Sequence, residues 1–258
     1  MLRLWIVGLW TAGCLIGTQA AEWLAVIDYA DEWTQVRGLT ESLDRMGVRY
    51  DDRTEAAQNG ELILEGNRVL FLSSMVTNDP RIHQALDDNA EKIAAFVQSG
   101  GIVIEPTQAD QNEANVDWLP EPLRVVRSDP DRPQFTIVEP DHPLFTAPNR
   151  MTDDDFAGWG HQGWPTVWEV IAVQEGFTVL AESAGSMAVG EAEYEAGRFL
   201  MMCVAPDKYA VAGNDNRTKE QAFRFFENIV NYVQGAALSV RPDAETLPVL
   251  WGALRRFD

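Results

Sequence analysis

The sequence is short of the residues that most catalytic and metal centres need. Its 258 residues include two cysteines and three histidines. Neither Cys-x-x-Cys nor His-x-x-x-His spacing occurs, so a zinc site has no support, and no metal or cofactor is expected. Positive charge is scarce: 20 Lys and Arg stand against 40 Asp and Glu, a formal net charge of -20. Such a surface repels nucleic acid and anionic lipid, so neither is an expected partner. No apolar run reaches the roughly 20 residues of a membrane span.

The N-terminus carries a shorter run. Arg3 precedes apolar residues from Leu4 to Ile16, and Thr18-Gln19-Ala20 closes the segment. This reads as a signal peptide over 1–20, cut after Ala20, and predicts a periplasmic or secreted protein. A rival reading takes Thr11-Ala12-Gly13-Cys14 as a lipobox with a lipid anchor at Cys14. With the leader removed, Cys203 is the one remaining cysteine and an intrachain disulfide is excluded. Its place in the apolar run "RFLMMCV" predicts a buried, inert thiol.

What is present is an alternation of apolar runs and amphipathic segments. Trp23 to Ile27 is a continuous run, as expected for a strand covered on both faces. Trp33, Val36, Leu39, Leu43 and Met46 then recur at helical spacing, with Asp31 and Gly47 as candidate caps. "VRYDD" reads as a short strand, "NRVLFLSS" as another, residues 81–101 as one helix and "GIVIEP" as a buried strand. This order predicts an α/β fold with a parallel sheet and helices on both faces. Residues of about 107–176 form an insertion, opened by an antiparallel hairpin of "LRVVRS" with "QFTIVEP". Three strands follow: "FTVLAES", "MAVGEAEYEAG" and "RFLMMCVAP". A final helix stops at Gly235 and leaves 236–258 as a tail. The pattern describes one domain over 21–235.

Several strings carry a family resemblance. "FVQSGGIVIEP" and "GRFLMMCVAPDKY" resemble the two active-site strands of the class I glutamine amidotransferase-like, flavodoxin-like fold. "HPLF", "PNRMTDDDFAGW" and "RFFENIVNYV" resemble, more narrowly, such domains in secreted bacterial proteins, some of them attached to PIG-L-type sugar deacetylases. Active members keep a Cys in the turn after the first strand and His-Pro-Glu after the second. Here the turn reads Glu105-Pro106-Thr107-Gln108 and the second strand ends in Ala205-Pro206-Asp207. Thr107 and Ala205 thus stand where the nucleophile and the base would be, and Asp207 matches the third member alone. The resemblance implies a non-catalytic domain without glutaminase activity. It would bind a small polar ligand, a carbohydrate among the options, or a partner protein. Two alternatives remain open: a hydrolase using Glu105 and Asp207 as acid and base, and a purely structural module marked by an exposed apolar patch.

Ligands of open α/β sheets bind beyond the carboxyl ends of the strands. Those ends carry Asp28, Asp31, Ser73, Ser74, Glu105, Thr107, Gln108 and Asp207. The Trp-rich loop adds Trp159, His161 and Trp164, flat or polar groups suited to stacking on sugars. The expectation is one cleft above Glu105, with "GIVIE" and "RFLMMCV" as neighbouring strands. Thr152 to Asp155 reads as a helix capping box rather than a calcium site. His83 and His142 read as structural.

Overall fold

The structure is a computed structural model that describes residues 23–106, 116–128, 134–160 and 170–239. The leader with Cys14, the insertion residues Thr107 and Gln108, the loop residues His161 and Trp164, and the end of the tail lie outside the described residues.

The first half alternates strands and helices. It runs β1 (Leu24–Ile27), α1 (Gly38–Met46), β2 (Asp51–Asp52), α2 (Thr54–Gln58), β3 (Val69–Leu72), α3 (Pro80–Asp88), α4 (Ala90–Gln98) and β4 (Ile102–Pro106). The second half holds β5 (Arg124–Ser128), β6 (Thr136–Ile137), α5 (Pro143–Thr146), α6 (Asp153–Phe156), β7 (Val170–Glu175), β8 (Thr178–Ser183), β9 (Ser186–Tyr194), β10 (Gly197–Met202), α7 (Pro206–Ala212) and α8 (Asn216–Ser239). The main sheet has the order β2-β1-β3-β4-β10-β9-β7-β5. Its first five strands are parallel, because each of the first crossovers contains a helix; β9, β7 and β5 extend it antiparallel. Every residue of β1 and β3 is buried, as the continuous apolar runs require.

Helices α1, α7 and α8 pack together, and α2, α3 and α4 form a second connected group. The stripe of α8 supplies large rings to the core. Phe226 stacks on Phe71 at 5.7 Å between centroids, and Phe225 on Phe145 at 5.9 Å.

The structure corrects four boundaries. Helix α1 starts at Gly38 rather than near Asp31, since the Asp31 carboxylate closes a turn by accepting from the N–H of Trp33 (3.0 Å) and Thr34 (2.7 Å). Gly38 is needed there: a Cβ would lie 2.5 Å from the Asp207 carbonyl oxygen. The helix expected over 81–101 is two helices, because Asn89 leaves helical geometry (φ -110, ψ 19) while its amide bonds back to the Ala85 carbonyl at 2.8 Å. The expected hairpin does not form; β5 pairs with β7 and β6 with β8. Alternation in a strand fixes which face is buried, not which partner it takes. Finally, α8 continues through Gly235 to Ser239, where Ala237 still packs in the core. Gly47 behaves as expected, ending α1 in the left-handed region at φ 68.

Candidate functional site

Strands β4 and β10 are parallel neighbours with Glu105 opposite Met201, as the sequence led one to expect. Their carboxyl ends carry Glu105 and Asp207. Pro206 opens α7 at its first turn, where its missing N–H costs nothing. Asp207 is fully buried. One of its oxygens accepts from the Ser74 N–H at 3.0 Å and the other from the Ser74 hydroxyl. Burial pushes its pKa up; Lys208 and the Ser74 hydrogen bonds oppose this, and Asp28 adds to it. The next residue, Lys208, is also buried. Its Nζ donates to the carbonyls of Tyr29 and Val36 and lies 3.3 Å from Asp31. Asp31 in turn accepts from the Thr34 hydroxyl. These groups tie α7 to the loop after β1.

Glu105 differs. It is 3% exposed, and its Oε2 has no hydrogen-bond partner among the described residues. Burial pushes its pKa up to about 8, against the pull of Arg127 and with a further push from Asp207. Below its pKa the native state holds a proton that an unfolded Glu, with a pKa of about 4.3, releases. Its contribution to stability therefore falls as pH rises from about 4.3 to about 8 and levels off above. Glu105→Gln should remove this slope. Thermal melts should find the variant close to wild type near pH 5 and more stable at about pH 9, by on the order of a few kcal/mol.

The space beyond β10 is closed. Trp33, Thr34, Met75, Ala205, Lys208 and Tyr209 meet with no room for a water molecule between them. Met75 holds a left-handed backbone (φ 62), a strained setting for a side chain of its size.

Trp159 presents no free face. It is 2% exposed, its Nε1 donates to the Asp155 carbonyl at 2.7 Å, and its ring packs on Phe156 (5.3 Å) and Tyr209 (5.8 Å). The expected stacking platform is a packing residue. Thr152 and Asp155 form the expected capping box: Thr152 N–H and its hydroxyl donate to Asp155 at 2.8 and 2.9 Å. His142 caps α5, and His83 lies 3.6 Å from Asp87 on its own helix. Among the described residues no group of three or more His, Cys, Asp or Glu could hold a metal.

The open site lies farther along the same edge of the sheet, across β3. Beyond the carboxyl ends of β1 and β2 is a cleft of about 690 Å³, within the range of small-molecule sites. Asp28 lines it at 1% exposure. Its Oδ2 accepts from the Thr40 N–H and hydroxyl, each at 2.8 Å, while its Oδ1 has no partner among the described residues. Arg37 reaches over from the segment before α1. Its Nη2 donates to Asp52 at 2.7 Å and to the Thr54 hydroxyl at 3.3 Å. Its Nε lies 3.9 Å from Asp28 Oδ2 and makes no hydrogen bond among the described residues. Burial works against both charges of the Arg37–Asp52 pair. Burial is the largest single influence on each, but their mutual hydrogen bond and attraction, with Thr54 donating to Asp52 and Asp28 near Arg37, together outweigh it, raising the pKa of Arg37 and lowering that of Asp52. The cleft is thus lined by polar and charged side chains held in place by internal bonds, with no nucleophile paired to a base among the described residues. Of these residues sequence reasoning found Asp28 alone. The signal for Asp52 and Thr54 was the polar "YDDRT" at the end of the predicted short strand.

No family model and no curated protein matches the chain. Solved structures do. The chain is similar to part of a β-galactosidase from Rahnella sp. R3, at 16% identity and a TM-score of 0.51, covering 83% of this chain and 31% of that one. It is similar over nearly the whole length of the cytoplasmic protein STM1381 from Salmonella typhimurium LT2, at 14% identity and a TM-score of 0.51, covering 81% of this chain and 98% of that one. The chain therefore spans under a third of the β-galactosidase. At such identities the likeness is one of fold: a mixed α/β architecture.

Proposed function

We propose that this is a non-catalytic, flavodoxin-like domain of the glutamine amidotransferase-like kind, secreted or periplasmic, that binds a small polar ligand in the Asp28 cleft. The observation that carries the reading is the contrast between two parts of the sheet's carboxyl edge, separated by β3. Beyond β10, Ala205 stands where a base would be and packs among side chains that leave no room for a water molecule. At β1 and β2, a cleft of about 690 Å³ stays open, lined by Asp28, Tyr29, Arg37, Asp52, Thr54 and Glu55. The strand order 2-1-3-4 of the first half supports a flavodoxin-like fold; its order reverses between β1 and β3, one strand over from this cleft. Charge supports the ligand being neither nucleic acid nor an anionic membrane. Among the described residues no helix is long and apolar enough to cross a membrane.

Crystals soaked in a mixture of small hydroxylated compounds should show density beside Asp28. Density confined to the space beyond β4 and β10 would contradict the reading. Glutamine incubated with the protein should release no ammonia above the rate without it, and release by the wild type would contradict the non-catalytic assignment.

One observation favours a second reading. Glu105, with a pKa of about 8 and a partnerless oxygen, has the protonation state of a general acid at neutral pH. In that reading the protein is a hydrolase and Asp207 is the companion carboxylate. Hydrolysis of an aryl glycoside, lost in Glu105→Gln, would establish it. The structural-module reading finds less support: among the described residues Val138 is the exposed large apolar side chain, which makes no patch.

A further inference from the structure

We propose that His142 is a pH-sensitive latch: on taking a proton it gives up the cap of α5 and is held by Glu191 alone, so that the turn before α5 loosens as the medium acidifies. The latch lies in "HPLF", a string that the Asp28 cleft does not use, and it stands whatever that cleft binds. Both ring nitrogens of His142 are committed. Nδ1 accepts from the Leu144 N–H at 3.2 Å, and Nε2 lies 3.3 Å from Glu191 Oε1. The neutral ring with its proton on Nε2 serves both, accepting at one nitrogen and donating at the other. The cap matters locally. Pro143 has no N–H to offer the first turn, and Leu144 is fully buried, so its amide has no water to turn to.

A proton turns one of these bonds into a conflict. It comes from water, which reaches a side chain that is 15% exposed, and it enters at Nδ1. An N–H then faces the Leu144 N–H and the cap is lost. The ring becomes positive beside the Glu191 carboxylate, and that contact strengthens. Glu191 stays charged throughout. Burial works against its charge, but hydrogen bonds from His142 and from Tyr232 (2.6 Å), with the attraction of His142 and Arg198, outweigh it and hold its pKa below the ordinary value. Burial, helped by Glu191, pushes the Tyr232 pKa up, so its hydroxyl remains a donor. Tyr232 of α8 meets the imidazole edge-on at 5.0 Å, and Arg198 of β10 lies 3.5 Å from the same carboxylate. On the ring's own segment Glu139 and Asp141 are exposed, and Asp141 lies 3.9 Å from Arg150. The rest of α5 is anchored separately: Leu144 and Phe145 are buried, and the Asn228 amide donates to the Leu144 carbonyl at 3.0 Å. The change is therefore confined to the turn that His142 closes, whose N–H donates to the Glu139 carbonyl at 3.1 Å.

NMR of the isotopically labelled protein between about pH 8 and about pH 4 tests the latch. At the upper end the ring nitrogens should report a proton on Nε2. As pH falls, the Leu144 amide resonance should move with the same midpoint as the His142 ring, and its protection from hydrogen exchange should drop severalfold. His142→Asn keeps a capping oxygen but cannot titrate, so the Leu144 amide should then stay unmoved across the range. Glu191→Gln removes the carboxylate that attracts the proton, so the shared midpoint should fall by about one pH unit. A proton on Nδ1 at the upper end, or a Leu144 amide that stays still while the ring titrates, would overturn the latch. So would a Leu144 amide that still moves in His142→Asn, a midpoint unchanged in Glu191→Gln, or a ring that takes no proton across the range.

Discussion

Replacing Lys208 by alanine should destabilise the fold by about 3–5 kcal/mol, the cost of leaving a buried charge unpaired. Lys208 is 2% exposed, and its ammonium serves three acceptors at once: the Asp31 carboxylate and the carbonyls of Tyr29 and Val36. All three belong to the loop between β1 and α1. Removing the ammonium strands the Asp31 charge, although the Thr34 and Trp33 donors still serve it. It also strands two buried carbonyls. Lys208→Met keeps the apolar stem and should recover only the packing part of the loss. Adding Asp31→Asn to Lys208→Met should cost less than the two single changes summed, because the second change removes the charge that the first left unpaired. Urea melts of the four proteins check this, and an additive result would show that the pair does not act as a unit.

The second large effect belongs to Trp159. Trp159→Ala should cost about 3–5 kcal/mol, as loss of a buried large aromatic does. The indole sits between Phe156 and Tyr209, and Phe156 stacks on Phe135 at 4.0 Å and meets Phe225 edge-on at 4.9 Å. This aromatic cluster fastens α6 and the loop after it to α7 and α8. Trp159→Phe should recover part of the loss but forfeit the hydrogen bond to the Asp155 carbonyl. A change in melting temperature of less than a degree or two for Trp159→Ala would contradict the packing role; the expected loss corresponds to many degrees in a domain of this size.

The parallel half of the fold was legible because it is written in continuous apolar runs and capped helical stripes. Leu24 to Ile27, Val69 to Leu72 and Ile102 to Ile104 leave few alternatives to buried strands. The neighbourhood of β4 and β10 was legible through resemblance alone, since no local pattern says which parallel strands pair. Pairing in the insertion was not legible: "LRVVRS" alternates well enough to face either "QFTIVEP" or β7, and the choice is made by the whole sheet. The helix break at Asn89 turns on one side-chain amide competing for a backbone carbonyl, which apolar periodicity does not register.

The candidate site divides in the same way. Strand-end reasoning reached Asp28, Asp31, Ser74, Glu105 and Asp207, and all five lie buried at the carboxyl edge of the sheet. It did not separate those consumed by internal bonds from those left open. Asp31, Ser74 and Asp207 look alike with Asp28 in sequence. Only geometry reveals that Lys208, remote from Asp31 in sequence, folds back to occupy it. Trp159 misled for a related reason: a Trp among Gly and Asp suits both a sugar platform and a packed core, and burial decides.

The central claim is that ligand enters beside β1 and β2 rather than at the ends of β4 and β10. Amide chemical-shift mapping of the isotopically labelled protein during titration with small hydroxylated compounds tests it directly. The account predicts saturable shifts at Asp28, Tyr29, Arg37, Asp52 and Thr54, with Ser74, Ala205 and Asp207 unmoved. Shifts centred on Ser74, Glu105 and Ala205, with the Asp28 cleft silent, would contradict it.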